Sequence, residues 1–460
     1  MTSIDTLPDD VLLKIFNLHL YDEDIEIGSE RQKAWQTLVH VCRRWRSIVF
    51  GSPHHLNLQL VCTPRNPARN MLDVWPALPL IVVSDDFDPA GRIENILAAL
   101  ERTDRVCQID LKILWGFHLD MLLVVMQQPF PELTHLHLLS HNKTVSVVDH
   151  DSFLGGSAPR LKYLHLEDIS FPGLLKLLLS ATHLVDLRFI NIPHSGYISP
   201  ERMVAALSTL TSLEYLSVGF ESPRSCPDPA SRRPPPSTRS VLPVLTYFQF
   251  RGVSEYLDDL VACIDAPQLD TFEVTLFNDI VFDAPQLFRF ISHTPMSKAL
   301  ETAKINFQHG AARVKFSSET PRYREFNVGI LCKGLNWQAS FLEQICTSYL
   351  PLLSILEDLY IDDYFHWKPD WKDSIENGQW LEFFRLFVAV KSPYLSEKVA
   401  SSIAPALQEL VEGRTTDVLP ALQTIFLKKL KSSGSVQESI GQFVAARQVA
   451  NHPIVISLWT

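Results

Sequence analysis

One six-residue phrase constrains this chain more than any other feature. Leu-x-x-Leu-x-Leu, with apolar substitutions, reads VCQIDL from residue 106, LTHLHL from 133, LKYLHL from 161 and LVDLRF from 184. It continues as LEYLSV from 213, LTYFQF from 245 and LDTFEV from 269. Weaker copies stand at 300 (LETAKI), 356 (LEDLYI) and 422 (LQTIFL), and YREFNVGIL at 323–331 offers a strand for the gap after 300.

The phrase has a physical reason to recur. Its last two apolar positions are two apart, so they project to one face of a strand while their neighbours point the other way. Between phrases run apolar residues at helical spacing, as in FPGLLKLLLSATH (171–183) and PERMVAALSTL (200–210). A strand and a helix cannot bury their apolar sides alone, and stacked copies can. The mean period from 106 to 269 is about 27 residues, within the roughly 20–29 of leucine-rich repeats. Proline often precedes the phrase (FPELTHL, APRLKYL, LPVLTYF, APQLDTF, LPALQTI) and is expected to end the preceding helix. The expected fold class is α/β. A small all-α N-terminal module leads into an irregular leucine-rich-repeat solenoid, parallel strands on its concave side and helices on its convex side. The competing arrangement is a doubly wound sheet of unrelated amphipathic elements.

Composition limits the function. A formal net charge of −11 argues against a general nucleic-acid binder, which needs clustered Lys and Arg. No basic stretch followed by an apolar run opens the chain, and the longest apolar runs, such as MLLVVM at 121–126, are far below the ~18 residues of a membrane span. Seven cysteines, odd in number and without a Cys-x-x-Cys pair, indicate neither a disulfide framework nor a zinc site. A cytoplasmic or nuclear location without membrane attachment is expected. The proline-dense insertion at 221–240 reads as a solvated loop, with a PxxP-type ligand as the alternative.

Alignment of successive phrases would place their outward residues in columns about 4.8 Å apart. One column is Gln108, His135, Tyr163, Asp186, Tyr215, Tyr247 and Thr271. The next is Asp110, His137, His165, Arg188, Ser217, Gln249 and Glu273. His135, His137, Tyr163, His165, Arg188, Tyr215 and Tyr247 are the candidate contacts for a protein target, with a merely solvated face as the alternative. The three histidines have the nitrogen ligands of a zinc site or of a switch near pH 6. No carboxylate or cysteine is spaced with them as a ligand, so pairing with Asp110 and Asp186 without metal is favoured, and no cofactor is expected.

The N-terminal stretch completes the reading. In LVHVCRRWRSIV (38–49) and the residues before it, Ala34, Leu38, Val41, Cys42, Trp45, Ile48 and Val49 form one continuous helical stripe. Arg43, Arg44 and Arg46 lie off it, toward solvent, and Cys42 reads as a small core hydrophobe. LPDDVLLKIF (7–16) is a second helix, with Pro8 at its first turn and Asp9 and Asp10 at the positive end of its dipole. The acidic YDEDIEIGSERQK connects the two. Leu7-Pro8, the Val11/Leu12 to Phe16 face and Val41-Cys42-Arg43-Arg44-Trp45 with Ile48-Val49 resemble the F-box over about residues 4–53, with an unusually long connector. Further segments (55–82, 374–427 and 440–459) are similar to the expanded F-box proteins of mushroom-forming fungi.

That resemblance implies docking on the SKP adaptor of cullin–RING ubiquitin ligases through Leu7, Pro8, Val11, Leu12, Ile15, Phe16, Val41, Cys42, Trp45 and Ile48. Together with the repeat phrases it gives an expected layout of F-box-like module (1–53), connecting segment and start of the solenoid (54–100), and repeat region (101–460) with the Pro-rich insertion and an aromatic-rich end whose Trp367, Trp371 and Trp380 are expected to cap the core, with the concave mouth as the alternative place for some of them. The implied role is substrate recognition for the ligase, with an unidentified protein as target and no nucleic acid. The alternative is a leucine-rich-repeat interaction protein that acts without the ligase. No Gly-x-Ser-x-Gly elbow, phosphate-binding glycine loop or His-Glu-x-x-His occurs. A non-catalytic chain is expected.

Overall fold

The computed structural model describes residues 4–20, 29–65, 68–84, 93–113, 116–140, 152–170, 174–225, 239–277, 284–298, 301–308, 310–318, 324–332, 335–348, 353, 355–363, 375–412, 416–428 and 434–459. Most of the acidic connector, most of the Pro-rich insertion, Trp367 and Trp371 lie outside them. The chain divides into two compact units, Met1–Tyr197 and Ile198–Thr460.

The first unit opens with helices α1 (Asp9–Leu20), α2 (Ser29–Val41) and α3 (Arg43–Gly51). Strands β1 (Leu60–Cys62), β2 (Leu80–Ser84), β3 (Val106–Ile113), β4 (His135–Ser140), β5 (Tyr163–Glu167) and β6 (Asp186–Ile192) follow in chain order, every neighbouring pair parallel. Between them run α4 (Ala68–Val74), α5 (Ile93–Leu100), α6 (Gly116–Val125) and α7 (Leu174–Ser180).

Each phrase is a turn followed by a strand. Leu133, Leu161 and Leu184 are wholly buried, and their N–H groups donate to the carbonyls of Phe130, Ala158 and Ala181, three residues back (3.1–3.2 Å). The next residue extends the ladder to the neighbouring repeat: Thr134 N–H reaches Cys107 O at 2.9 Å and Lys162 N–H reaches Thr134 O at 2.9 Å. Pro131, Pro159, Pro243, Pro267 and Pro420 occupy the second position of such turns. The prolines therefore act differently from the expectation. They fix φ for the turn into the strand, because their ring angle suits that position.

The second unit comprises α8 (Pro200–Leu207), β7 (Tyr215–Phe220), β8 (Ser240–Val241), β9 (Tyr247–Gly252), α9 (Ser254–Ala262), β10 (Ile264–Asp265), β11 (Thr271–Phe277) and α10 (Pro285–Ser292). It goes on with β12 (Thr302–Gln308), β13 (Ala311–Ser318), β14 (Arg324–Leu331), α11 (Leu335–Ser348), β15 (Asp358–Asp363), α12 (Asn377–Arg385) and β16 (Ser392–Leu395). α13 (Glu397–Glu409), β17 (Thr424–Lys428), α14 (Gly434–Val449) and β18 (Val455–Trp459) complete it. The sheet order is β7-β9-β11-β14-β13-β12-β15-β16-β17-β18, with β8 and β10 paired separately.

The sheet departs from the expected all-parallel arrangement. β13 runs antiparallel to both β12 and β14, while β14 is parallel to β11 and β12 to β15. The weakened phrase after 300 is thus a three-strand meander inside the repeat, and Gly310 at φ +80° supplies the left-handed residue its first turn uses. Within the core, Phe248, Phe272 and Phe326 stack from strand to strand at 5.0 and 5.7 Å.

Buried Asp258 of α9 accepts the N–H groups of Gln286 and Leu287 at 2.8 and 3.0 Å, which caps α10 from its neighbour. Asp258→Ala leaves one buried and one part-buried N–H without this acceptor and should cost about 1–3 kcal/mol, read as a lower urea midpoint. Asp258→Asn, which keeps the oxygen, should cost clearly less.

Among the described residues no helix is long and apolar enough to cross a membrane.

Candidate recognition surfaces

The N-terminal helices pack around Phe16 and Trp45, whose rings lie 4.7 Å apart. Of the ten residues tied to adaptor docking, Leu12, Phe16 and Ile48 are buried, while Leu7, Val11, Cys42 and Trp45 are half-buried. Pro8, Ile15 and Val41 are exposed. The first group can only support a contact, and the others can make one.

The continuous stripe does not form one helix. Backbone at Cys42 is extended (φ −158°, ψ 169°), and its Sγ accepts the Trp45 N–H at 3.5 Å, so Cys42 caps α3 and is half-exposed rather than a core hydrophobe. Arg44 does not simply point to solvent. Its guanidinium bonds Asp9 Oδ1 and, at 2.5 Å, the carbonyl of Leu7, which holds the Leu7-Pro8 entry against α3. Arg46 Nε likewise donates to Val39 O.

Leu18, 75% exposed, completes an i, i+4, i+7 stripe with Val11 and Ile15. Sequence reasoning stopped at Phe16 and missed it, although that spacing was present. Behind these helices, Trp35 donates from Nε1 to Gln59 O at 3.1 Å, and Gln32 Oε1 accepts the N–H of Val61 at 2.5 Å. Two side chains of α2 thereby cover the edge formed by β1.

On the open face of the first sheet, Gln108, His135, Tyr163 and Asp186 stand in register, as do Asp110, His137, His165 and Arg188. His135 stacks on Tyr163 at 4.3 Å and His137 on His165 at 4.2 Å, both near parallel. His137 Nδ1 lies 2.8 Å from Asp110 Oδ1, and this hydrogen bond holds the Asp110 carboxyl below its ordinary range. Asp186 instead accepts two bonds from Arg188 (2.9 and 2.7 Å) and is not a histidine partner. Burial first, then the His137 and Arg188 charges, bring the His165 imidazole down to about 4. Its Nε2 is 3.8 Å from Glu167, too long for a hydrogen bond. Among the described residues no group of three His, Cys, Asp or Glu side chains is arranged to hold a metal.

On the open face of the second sheet, Tyr215 and Tyr247 stack at 4.2 Å, tilted by 7°. Beside them Ser217 donates to Gln249 Oε1 (3.0 Å), and Gln249 Nε2 donates to Glu273 (3.3 Å). Burial, then a hydrogen bond with Tyr215, pushes the Tyr247 phenol far up, so it stays protonated. A second column, which sequence reasoning missed, stacks Tyr360, Tyr394 and Phe426 at 4.2 and 4.4 Å with Trp459 edge-on. Its signal was the aromatic residue between the apolar positions of LEDLYI and LQTIFL. Trp380 is not on this face; it is buried against Phe307 and donates to Ser402 Oγ at 3.1 Å.

No family model matches the chain, and no curated protein matches it. Among solved structures it is similar to a leucine-rich repeat-containing protein, LegL7 from Legionella pneumophila, at 13% identity. That match covers 70% of this chain and 93% of that one, with a TM-score of 0.28.

Proposed function

We propose that the chain is the substrate-recognition subunit of an SKP–cullin–F-box type ubiquitin ligase. The helices within residues 1–53 dock the adaptor, and the repeat region from 101 to 460 holds the target protein. The observation that carries this reading is the apolar stripe of Val11, Ile15 and Leu18 left at the surface of α1; Val41 at the end of α2 is exposed as well. Apolar side chains left in a row on a small helical module are surface for a partner. Buried Leu12, Phe16 and Ile48 then act as the rigid backing that presents the ridge.

In this reading the chain contributes binding and orientation, raising the effective concentration of a target lysine near the charged conjugating enzyme. The stacked tyrosines of the second unit supply rigid anchors for the target.

A second reading has its own support. Gln32 and Trp35 seal the β1 edge, so the helices also suit a ligase-independent interaction protein in which they serve as an end cap. Affinity purification separates the two. Under the first, adaptor and cullin co-purify with the full chain, and Leu7→Ala with Pro8→Ala lowers adaptor recovery at least tenfold without changing the circular dichroism spectrum. Full retention of the adaptor by the folded double variant means the docking face is misassigned; absence of adaptor from the wild-type purification supports the cap.

A further inference from the structure

β18 is the last strand of its sheet, and the core beneath it is unsealed. Ile456 and Leu458 stand in register with Ile425 and Leu427 of β17, which are 2% and 3% exposed. They take the same core-facing positions yet are 41% and 71% exposed. A terminal repeat ordinarily turns a polar face outward, and an edge strand ordinarily carries a lysine, a proline or a bulge that turns other strands away. β18 reads Val-Ile-Ser-Leu-Trp, without charge or proline. β1, by contrast, has Gln32 and Trp35 over it.

The backbone of this edge is open as well. Val455 N–H donates inward to Gln423 O at 2.9 Å, so the alternation of a strand turns the N–H and C=O groups of Ile456 and Leu458 outward. Among the described residues no strand pairs with them. Behind the strand, α14 shows an equally plain flank. Its Ser439 and Gln442 hydrogen-bond Gln408 of α13, while Ile440 and Phe443 are buried. The side turned away from α13 is therefore Gln437, Gly441, Val444 and Gln448, at i, i+4, i+7 and i+11. It carries no charge, and a Cβ on Gly441 would meet nothing within 4 Å.

We propose that a second copy of this chain closes this end, β18 pairing antiparallel with its counterpart across a two-fold axis at Ser457. The inference is independent of the adaptor and target readings. In that register Ile456 and Leu458 exchange backbone bonds with Leu458 and Ile456 of the second copy, and the four exposed core-facing side chains cover one another. Val455 meets Trp459 of the copy, and small Ser457 meets its own image at the close, non-hydrogen-bonded position. A two-fold axis sets charges near it against their own images, and this strand has none to repel. The axis runs normal to the sheet, so both helix layers stay on one side. Antiparallel α14 flanks then set Gly441 against Val444 and Gln437 against Gln448. Strand and helix flank are both self-matching, which a second copy requires and an unrelated partner does not.

Sedimentation equilibrium of the full chain over a concentration series tests this. The expected result is a mass that rises to two chains in the micromolar range. Ile456→Lys with Leu458→Lys, at positions already exposed, sets lysine opposite lysine and should weaken self-association at least tenfold with an unchanged thermal melt. Gly441→Glu, in open space on the flank, should weaken it severalfold and serves if the double variant does not fold. Ser457→Cys brings two thiols onto Cα atoms about 4.5 Å apart, within disulfide reach. Mild oxidation should then yield a covalent dimer that the wild type, with its own seven cysteines, does not form.

The proposal is overturned by a chain that stays monomeric throughout, whatever else its edge captures, or by open-ended assemblies in place of a dimer. It is equally overturned by self-association that either variant leaves unchanged, or by Ser457→Cys cross-linking no more than wild type.

Discussion

Trp35→Ala lowers the stability of the first unit by about 3–5 kcal/mol, the cost of emptying a filled aromatic site. The ring is 1% exposed, packed edge-on against Trp75 at 5.1 Å and Phe50 at 6.2 Å. Its Nε1 also satisfies the Gln59 carbonyl at the margin of β1, so truncation adds a lost polar bond to the cavity. Trp35→Phe keeps most of the packing and should cost about 1–2 kcal/mol. Urea titrations followed by far-ultraviolet circular dichroism compare the two. If Trp35→Ala stayed within about 1 kcal/mol of wild type, the α2–β1 contact would not be a structural joint.

The second large effect is acid sensitivity set by His165. Its folded-state value of about 4 lies below the ordinary 6.5, so the fold holds the imidazole neutral while the unfolded chain takes up a proton more readily. Stability is therefore unaffected above pH 6.5 and falls as pH drops from 6.5 toward 4. The full shift corresponds to a loss on the order of 3 kcal/mol. The surrounding charges come from β3 (Asp110), β4 (His137), β5 (Glu167) and β6 (Asp186, Arg188). Asp110 acts in the same sense at lower pH, because its depressed carboxyl loses its contribution as it is protonated. His165→Asn removes the titration and should flatten the stability profile between pH 6.5 and 4. Parallel profiles for variant and wild type would assign the acid loss elsewhere.

The register of the open faces was legible from the phrases alone. His135 against Tyr163, His137 against His165 and Tyr215 against Tyr247 follow from aligning six-residue copies, since a period of two and a buried leucine at each turn leave one pairing that keeps every apolar side inside. The meander was not legible. VKFSS in β13 alternates as any strand does, and periodicity carries no information about direction.

The break at Cys42 was hidden for a related reason. A helical stripe persists in the sequence across it, because Leu38 of α2 and Ile48 and Val49 of α3 are all buried, and the extended backbone at Cys42 with its thiol–Trp45 bond marks the stop. The polar partners of the histidines were half legible: Asp110 pairs as the column suggests, whereas Arg188 outcompetes the imidazoles for Asp186 through a bidentate fork.

The seal that Gln32 and Trp35 place over β1 has a practical side. Any shortened version that starts after residue 53 would carry a raw, uncharged Leu-Val-Cys margin, an invitation to strand-by-strand clumping. Poor behaviour of such a fragment would report on its unprotected rim and would leave open whether the remaining repeats can hold a client.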